Sequence, residues 1–377
     1  MILKEYLVKF INKIMRIFPI KKNRCFLYSS YGINYGCNPK YISEYLVENN
    51  PEIEVVWAFN YPEKYDIKGI KKVKNMSLKY FYYLATSKFI ITNFRTQIDF
   101  KKRKNQVYIY TSHGRMGIKK IEKDAEETLP KLYIEQAKED SKKIDYFISG
   151  CKFNTEIIKK SFWYDGKILE IGTPRNDLLL NVNERQKQEI RKNIGILNGE
   201  KVLLYAPTFR ESRQMDVYDI DFYRLKNTLE KKYKCKWKIL VRLHPHLINI
   251  ADKFIGENIL NVTNYDDAHE ILCITDMLIS DYSGISYDYI ITGKPSFMYA
   301  KDLKEYEEKE RGFYFKLEEL PFPICQNNDQ LNENILNFND QNFEKKRRNF
   351  LEKIGEFEEG TASAKVSELI MSIYKGE

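Results

Sequence analysis

From Cys25 to about residue 180, short apolar runs alternate with stretches in which apolar residues recur at helical spacing. Apolar runs bounded by turn residues are typical of buried strands. We predict strands at residues 26–29, 55–59, 89–92, 107–111, 146–149 and 168–171. Helices are predicted at residues 39–48, 78–86, 130–138 and 154–161. This alternation indicates a parallel sheet with helices on both faces.

A second series of the same kind follows the polar stretch 181–201, which we interpret as a linker region. Its strands are predicted at 202–206, 238–243, 259–262, 277–280 and 296–299, and its helices at 222–233, 267–274 and 283–291. The tail from about residue 342 is helical and charged, and could cross back to the first series. We therefore predict an α/β protein with domains at 25–185 and 186–341, a separate segment 1–24 and C-terminal helices at 342–377.

Residues 1–24 combine helical apolar spacing with positive charge. The apolar positions are Leu3, Tyr6, Leu7, Phe10, Ile14, Ile17 and Phe18, and the other face carries Lys4, Lys9, Lys13 and Arg16. A basic amphipathic helix can hold a protein on an anionic membrane surface without crossing it, at about 1 kcal/mol per basic residue. Packing against the protein's own core is the alternative. We favour the membrane interpretation.

The bulk properties leave this outline unchanged. A chain of 377 residues exceeds what one hydrophobic core usually holds. A net charge of +9 points to a polyanion, a phosphorylated ligand or an anionic membrane, although Lys-rich solubility also explains it. The six cysteines form no CxxC pair, which fits a reducing cytoplasm rather than a zinc site or a disulfide framework. No apolar stretch is long enough to span a membrane, and there is no secretory signal.

A candidate phosphate site lies in the stretch from Asp276 to Asp288. An apolar run ends at Ser280 and Asp281, and small polar residues open the next predicted helix. The backbone amides of Ser283, Gly284 and Ile285 would then face an anion, and the hydroxyls of Ser283 and Ser286 could donate further hydrogen bonds. An ordinary N-capped helix after a core strand is the other interpretation.

Histidines follow predicted strands in both domains. His113 is followed by Gly114, Arg115, Gly117, Lys119 and Lys120, which favours a general base in a ligand site over a turn residue. In the second domain, His244 or His246 could donate a hydrogen bond to a phosphate oxygen. A zinc site there is disfavoured because no Asp, Glu or Cys at familiar spacing completes the ligand set.

Basic and polar residues end other strands. Arg210, two residues after Thr208, suits bidentate contact with a phosphate, with a surface ion pair as the alternative. Arg175 and Asn176 could face the same ligand, or Asn176 and Asp177 could cap the next helix. Asp266 and Asp267 have the pattern of a helix cap, and the charge run 301–311 is predicted to be a solvated loop. No Asp-x-Asp pair follows a strand, so we expect charge neutralisation without a metal.

A series of segments resembles the CDP-glycerol glycerophosphotransferase family, the teichoic acid and capsule polyol-phosphate transferases. The matching segments run in the family's order over nearly the whole chain, at residues 38–42, 111–114, 118–121, 172–177, 205–210, 243–245, 276–289, 311–315 and 360–363. The resemblance implies a GT-B-like fold, with two Rossmann-type domains, a cleft between them and an N-terminal amphipathic helix. The first domain would bind the acceptor and the second the CDP donor.

The resemblance also implies roles for individual residues. His113 is expected to act as general base and His244 to stabilise the donor phosphates. The other donor-binding residues would be Thr208, Arg210, Asp281, Ser283, Gly284, Ile285 and Ser286, and weaker acceptor-side candidates are Gly114, Arg115, Lys119, Arg175 and Asn176. Where the family typically has Trp before this histidine and Gly-Thr-Pro after it, this chain has Ser112 and Gly-Arg-Met, which leaves the acceptor open.

The expected reaction is transfer of a polyol phosphate, most simply glycerol phosphate, from a CDP-polyol to a hydroxyl of a lipid-linked saccharide or polymer, with release of CMP. We expect no metal or other cofactor, and a peripheral location on the cytoplasmic membrane face. The alternatives are a GT-B glycosyltransferase or epimerase that uses a nucleotide sugar, and a non-enzymatic basic membrane-binding adaptor. Nucleic acid is not an expected partner, since the basic residues are dispersed and no RNA-binding aromatic motif is present.

Overall fold

A computed structural model of the chain describes residues 2–96, 101–114, 117–210, 216–244, 247, 256, 258–309 and 312–376. The chain forms two compact units. The first consists of Met1–Arg115, Leu129–Asp177 and Glu356–Glu377, and the second of Met116–Thr128 and Leu178–Gly355. The division after Asp177 comes earlier than the predicted one at 185/186. Residues 116–128 belong to the second unit rather than the first, and residues 356–377 belong to the first.

Each unit is built on one parallel sheet. The first sheet has the order β3-β2-β1-β4-β5-β6-β7, with strands β1 (Lys21–Tyr28), β2 (Glu54–Phe59), β3 (Ile70–Lys74), β4 (Ser87–Thr92), β5 (Val107–Tyr110), β6 (Tyr146–Ser149) and β7 (Lys167–Glu170). The second has the order β10-β9-β8-β11-β12-β13, with strands β8 (Lys201–Ala206), β9 (Trp237–Val241), β10 (Ile259–Asn261), β11 (Met277–Ser280), β12 (Ser296–Tyr299) and β13 (Ile324–Cys325).

Helices separate most of the strands. They are α1 (Ile2–Met15), α2 (Cys37–Asn49), α3 (Leu78–Thr86), α4 (Lys131–Ser141), α5 (Lys152–Ser161), α6 (Asp177–Asn181), α7 (Glu184–Ile194), α8 (Phe222–Tyr233), α9 (Ala268–Ile274), α10 (Ile285–Tyr289), α11 (Leu303–Lys309), α12 (Asn328–Leu336), α13 (Asp340–Ile354) and α14 (Ala362–Lys375). Strands β2, β8 and β11 are buried along nearly their whole length, because parallel sheets are covered on both faces. The two-domain α/β prediction is confirmed.

Several local predictions need correction. Residues 21–24 are not part of the N-terminal amphipathic segment but begin β1. Arg24 is buried, and its guanidinium donates to Glu54 Oε2 at 2.6 Å and to Thr86 Oγ1 at 2.7 Å, so this cation faces protein rather than a membrane.

The predicted linker 181–201 contains helix α7. It starts with a capping box between Asn183 and Gln186, and it ends at Gly195, whose φ of 85° is left-handed. Its buried residue Ile190 joins the core of the second unit. Polar composition therefore marked an amphipathic surface helix here, not a linker.

In both sheets the strand order reverses at one point, between β1 and β4 in the first and between β8 and β11 in the second. Ligands of open α/β sheets bind outside the carboxyl ends of the strands at such a point. The chain leaves β4 at Asn93, and it leaves β8 and β11 at Pro207 and Asp281. The residues that follow these strands are therefore the first candidates for function.

Candidate functional site

His113 lies just beyond the carboxyl end of β5, in a loop of unusual backbone conformation. The preceding residue, Ser112, has a φ of 55°, a left-handed conformation that non-glycine residues rarely adopt. The imidazole stacks on Phe94, with ring centroids 4.4 Å apart and planes inclined by 8°. The side chain is nevertheless exposed to solvent. A ring that is held on one side and accessible on the other can exchange a proton with a ligand.

The surroundings of His113 favour its neutral form. Desolvation by the surrounding protein, with the nearby Arg175 cation as the second cause, lowers the pKa of His113 to about 4. A hydrogen bond with the backbone of Asn93 opposes the shift without cancelling it. His113 is thus unprotonated at neutral pH, as a general base must be.

Two buried residues hold the His113 loop. Asn38, at the start of α2, donates from Nδ2 to the carbonyl oxygens of Thr111 and Ser112, each at 2.9 Å. Its Oδ1 accepts the backbone N–H of Arg175 at 3.1 Å, and Arg175 Nη1 donates to the His113 carbonyl oxygen at 2.5 Å. The predicted acceptor-side residue Arg175 therefore positions the loop, because its side chain binds the backbone carbonyl oxygen of His113.

The rest of the 172–177 segment binds the C-terminal part of the chain. Asn176 is fully buried and donates from Nδ2 to Glu358 Oε1 at 2.9 Å, and Glu358 Oε2 accepts the Thr173 N–H at 2.9 Å. Asp177 accepts the N–H groups of Ala362 and Ser363, the first residues of α14. Asp177 therefore caps a helix, but one far along the chain rather than the next. Asn176, predicted to face the acceptor, serves the fold of the first unit.

In the second unit, the turn after β11 is tied to the turn after β8. Asp281 is buried, and its Oδ1 accepts the Thr208 N–H at 2.9 Å and the Thr208 hydroxyl at 2.6 Å. The Ser280 hydroxyl donates to the Ala206 carbonyl oxygen at 2.6 Å. Thr208 and Asp281 thus stabilise the loop that carries the candidate phosphate site.

The candidate phosphate turn differs in detail from the prediction. Helix α10 is short and starts at Ile285, whose N–H contacts Ser283 Oγ at 3.4 Å and is not available as predicted. Within the described part of the chain, the N–H groups of Ser283 and Gly284 donate to no protein acceptor. Both residues are half-buried, whereas Ser286 is buried. Ser283 and Gly284 are therefore the donors that this turn offers to an anion.

Arg210 occupies a buried network rather than an open site. Its Nε donates to Asp302 Oδ2 at 2.6 Å, its Nη2 lies 3.1 Å from Asp302 Oδ1 and 2.9 Å from Asp281 Oδ2, and its Nη1 donates to the Thr208 carbonyl oxygen at 2.8 Å. The guanidinium also lies 4.9 Å from the ring centroid of Tyr282. These contacts use most of its donors, so the geometry favours a positioning role over the predicted direct contact with phosphate.

Asp302 belongs to the run 301–311 that was predicted to be a solvated loop. The run instead contains helix α11, and the side chain of Tyr306 is buried. Burial alone would raise the pKa of Asp302, but the hydrogen bonds and charge of Arg210 outweigh it and hold that pKa below its ordinary value. Asp302 is consequently ionised and balances Arg210.

The remaining predicted residues are scattered. Lys119 was predicted on the acceptor side, but it belongs to the second unit, where it pairs with Phe313 in an antiparallel bridge and its Nζ lies 5.6 Å from the Tyr306 ring centroid. His244 is exposed, with its ring centroid 5.3 Å from that of Phe209. Gly114 follows His113 and is half-buried. The predicted residue Arg115 and the alternative His246 lie outside the described residues.

A comparison of the sequence with models of protein families identifies the family. The sequence model described as CDP-Glycerol:Poly(glycerophosphate) glycerophosphotransferase matches residues 10–372. The chain belongs to this family.

Individual relatives agree with the family assignment. A teichoic acid poly(glycerol phosphate) polymerase of Staphylococcus epidermidis is 34% identical over 367 residues, which cover 93% of this chain and 50% of the relative. A polymerase of the same name from Bacillus spizizenii is 29% identical, with 98% of each chain covered. The chain spans about half the length of the Staphylococcus epidermidis relative and of a Bacillus subtilis relative.

Solved structures agree in fold. A structure of the wall teichoic acid polymerase TagF has a TM-score of 0.87 and 30% identity, and covers 99% of this chain and 96% of that one. The predicted GT-B-like class is confirmed by this match. A UDP-GlcNAc 2-epimerase from Neisseria meningitidis has a TM-score of 0.54 at 13% identity, a likeness of fold alone.

Three residues that support the candidate site were not predicted from the sequence. Phe94 stacks on His113, Asn38 holds its loop, and Asp302 balances Arg210. Asn38 opens a segment that matches the family, which was the available signal. Phe94 directly follows a strand-ending Asn, whereas Asp302 was hidden in a charge run. Among the described residues, no group of three or more His, Cys, Asp or Glu side chains could hold a metal ion.

Proposed function

We propose that this chain transfers glycerol phosphate from CDP-glycerol to a hydroxyl of a teichoic-acid-like polymer or a lipid-linked saccharide, with release of CMP. The observation that carries the proposal is the family match over residues 10–372, together with a neutral histidine at a strand end in the first unit. A structure of the relative TagF was obtained after a soak with CDPG, which supports the choice of donor.

The first unit supplies the base. His113 accepts the proton of the acceptor hydroxyl while that oxygen bonds to the β-phosphorus of CDP-glycerol. The bond from this phosphorus to the oxygen bridging the two phosphates breaks, and CMP leaves with that oxygen. Stacking on Phe94 and the hold of Arg175 on the loop fix the imidazole, so that alignment rather than new chemistry lowers the barrier.

The second unit supplies donor binding. The N–H groups of Ser283 and Gly284 bind phosphate oxygens, and the exposed His244 donates to the leaving phosphate. Arg210, Asp281 and Asp302 keep the supporting loops in place. We propose that no protein-bound metal is required. EDTA should then leave CMP release unchanged, whereas a loss restored by added Mg²⁺ would contradict this part of the proposal.

Glycerol is favoured over ribitol by the extent of the matches. Four relatives named for glycerol phosphate match 93–98% of this chain at 29–34% identity, and a fifth, a primase, matches 76%. Relatives named for ribitol phosphate match 53–87% of it at 25–34% identity.

The deciding experiment is a donor and acceptor screen with mass analysis of products. The purified chain is incubated with CDP-glycerol, CDP-ribitol or UDP-sugars and a lipid-linked acceptor carrying a glycerol phosphate primer. We expect CMP release and a mass increase of one or more glycerol phosphate units. UDP release from a UDP-sugar without CMP release from either CDP donor would instead favour the glycosyltransferase or epimerase alternative.

Variants separate the proposed roles of the two units. His113→Ala should lower turnover by about 10²-fold or more, because a general base is lost, while CDP-glycerol affinity stays near that of the wild type. His244→Ala should weaken donor use as well as turnover. Wild-type turnover in His113→Ala would remove this residue from the mechanism.

We further propose that the chain works at the cytoplasmic face of the membrane, held there by α1. Among the described helices, none is long and apolar enough to cross a bilayer. Helix α1 and the turn after it expose Phe10 and Ile17, at 61% and 75% of their surface. Phe10→Ser with Ile17→Ser should reduce binding to anionic vesicles. Tyr223→Ser, at an 81% exposed position in the second unit, is the matched control. Equal binding by all variants would contradict the membrane role of α1.

A further inference from the structure

Asn93 is the first residue after β4 and lies beside the loop that carries His113. Strands β4 and β5 are parallel neighbours in the first sheet. Beyond their last residues, the carbonyl oxygen of Thr92 accepts both the N–H of Thr111, at 2.8 Å, and its hydroxyl, at 3.1 Å. The chain that leaves β4 therefore runs alongside the chain that leads to His113.

Two consecutive residues after β4 contact the imidazole of His113. Phe94 stacks on the face of the ring, and the backbone of Asn93 forms a hydrogen bond with the ring. This hydrogen bond favours the protonated form of the imidazole. A bond that the ring accepted would favour the neutral form instead. The ring N–H is therefore the donor, and the carbonyl oxygen of Asn93 is the acceptor.

This contact decides which nitrogen of His113 can act as a base. In a neutral imidazole, one ring nitrogen carries a proton and the other accepts a hydrogen bond. The nitrogen that donates to the Asn93 carbonyl oxygen has to keep its proton. The other nitrogen is thereby left unprotonated, since the hydrogen bond made by one nitrogen sets the state of its neighbour. The carbonyl oxygen thus selects one tautomer of the ring.

The backbone of Asn93 is in turn held by its own side chain, which is fully buried. Its Oδ1 accepts the N–H of Ser30 at 3.1 Å, and its Nδ2 donates to Ser29 Oγ at 3.1 Å. Ser29 is fully buried as well, and its hydroxyl donates to the carbonyl oxygen of Gly36 at 3.1 Å. These contacts join the carboxyl ends of β4 and β1, which are neighbours where the strand order reverses.

The backbone conformation near these contacts is unusual on both sides of His113. Ser30 has a φ of 46° and Ser112 has a φ of 55°, both in the left-handed region. Non-glycine residues remain in this region only where their surroundings hold them, and such residues cluster at functional sites. Asn93 holds Ser30 through its N–H, and Asn38 holds Ser112 through its carbonyl oxygen. Both held positions lie in the segments that fix the histidine.

We propose that Asn93 is a positioning residue for the transfer reaction: its backbone carbonyl oxygen fixes the tautomer of His113, and Ser29 fixes the Asn93 side chain. This inference rests on the proposed function and deepens it, because it assigns proton acceptance to the ring nitrogen that is not bonded to Asn93. The proton of the acceptor hydroxyl moves to that nitrogen as the new oxygen–phosphorus bond forms and CMP leaves. The same carbonyl oxygen then stabilises the imidazolium, whose other N–H it still accepts.

The test reads the tautomer directly, by nitrogen-15 NMR of the full chain labelled in histidine at neutral pH. Protonated and unprotonated ring nitrogens have well-separated chemical shifts, so a fixed tautomer and a mixture of tautomers give different spectra. The chain has four histidines, and the signals that disappear in His113→Gln belong to His113. Steady-state kinetics of CMP release are measured on the same preparations.

Two variants weaken the hold on the Asn93 carbonyl. Ser29→Ala removes the acceptor of Asn93 Nδ2, and Asn93→Ala removes the whole side chain. Neither variant changes Arg175, the cation that acts on the imidazole. Ser87→Ala is the matched control, since Ser87 is equally buried and donates to the Tyr83 carbonyl oxygen at 2.7 Å, but lies at the amino end of β4. Thermal unfolding confirms that each variant is folded, and Ser29→Ala is the milder change.

We expect a single tautomer of His113 in the wild type and in Ser87→Ala, and a mixture in Ser29→Ala and Asn93→Ala. The kcat for CMP release should fall about threefold to tenfold in Ser29→Ala and about tenfold or more in Asn93→Ala. The KM for CDP-glycerol should stay within about twofold of the wild type, because donor binding is assigned to the second unit. A mixture of tautomers in the wild type, an unchanged tautomer in the folded variants, or an equal change in Ser87→Ala would overturn the inference.

The spectrum and the turnover separate this inference from the proposed function, because the spectrum does not depend on activity. A single tautomer that Ser29→Ala disturbs, in a wild type that releases no CMP from any CDP donor, supports the hold on His113 and rejects the proposed function. CMP release by a wild type whose His113 has mixed tautomers keeps the proposed function and rejects the role of Asn93.

Discussion

Replacement of Arg210 by alanine is the sharpest test of how the second unit supports its candidate site. The guanidinium is buried with the carboxylates of Asp281 and Asp302, which would remain without a counter-charge. Removing one partner of a buried ion pair costs about 3–5 kcal/mol. For a unit of this size, about 2–4 °C of Tm correspond to each kcal/mol, so Tm should fall by about 6–20 °C.

Arg210→Lys is the matched variant, since it keeps the charge but not the planar fork. A single ammonium cannot reach both carboxylates and the Thr208 carbonyl oxygen with the same geometry. Loss of at least one charge-assisted hydrogen bond should cost about 1.5–3 kcal/mol.

The folded-state pKa of Asp302 lies below its ordinary value of 3.8. Its ionised form therefore stabilises the fold above pH 3.8, and this contribution is lost as the pH falls further.

The assay pairs thermal unfolding with CDP-glycerol binding for both variants. A positioning role predicts that Tm and donor affinity fall together, and that affinity recovers at temperatures well below each variant's Tm. If Arg210→Ala keeps its Tm within about 2 °C of the wild type but loses donor affinity by tenfold or more, Arg210 contacts the donor directly and the positioning role is refuted.

The other predictions concern the first unit. With the pKa of His113 lowered to about 4, the acid limb of kcat/KM for CMP release should lie below pH 6.5, and a midpoint at or above 6.5 would contradict the assigned environment. Asp177→Ala should cost about 1–2 kcal/mol in a denaturant melt through the lost cap of α14. Asp177→Asn should recover only part of this, because an amide offers one acceptor oxygen, whereas Asp177 accepts the Ala362 N–H on Oδ1 and the Ser363 N–H on Oδ2; full stability of Asp177→Asn would contradict this cap. Gly172→Ala should cost about 1 kcal/mol or more, since φ is +90° and a Cβ would lie 3.1 Å from the Phe357 carbonyl oxygen; unchanged stability would argue against that strain.

Elements with clear apolar runs were predictable from the sequence, and two of the four edge strands were not. Strands β6, β11 and β12 and helices α3 and α8 have the predicted bounds. The missed strand β3 reads IKKVK and lies at the sheet edge, where few apolar residues are needed. Strand β13 is a short edge strand and was missed for the same reason. The edge strands β7 and β10 were predicted, because each contains an Ile-Leu pair that the pattern could detect.

Positions at strand ends were predictable, but the partners of those residues were not. His113, Thr208, Arg210 and Asp281 all follow strands as expected. That Arg210 is neutralised by Asp302 depends on a contact between residues far apart in the chain. The 172–177 motif illustrates the same limit, because its Arg175 supports the histidine loop while its Asn176 binds Glu358. A local pattern cannot show which of two neighbours faces the site.

The return of residues 356–377 to the first unit sets an order of folding during synthesis. The ribosome releases every residue of the second unit before it completes the first, because α14 and its contacts with Thr173 and Asp177 come last. The strands of the first unit therefore keep part of their surface uncovered until α14 is synthesised, whereas the second unit can fold before that. Translation stopped after Gly355 should yield a folded second unit joined to an incomplete first one, a target for chaperones and proteases.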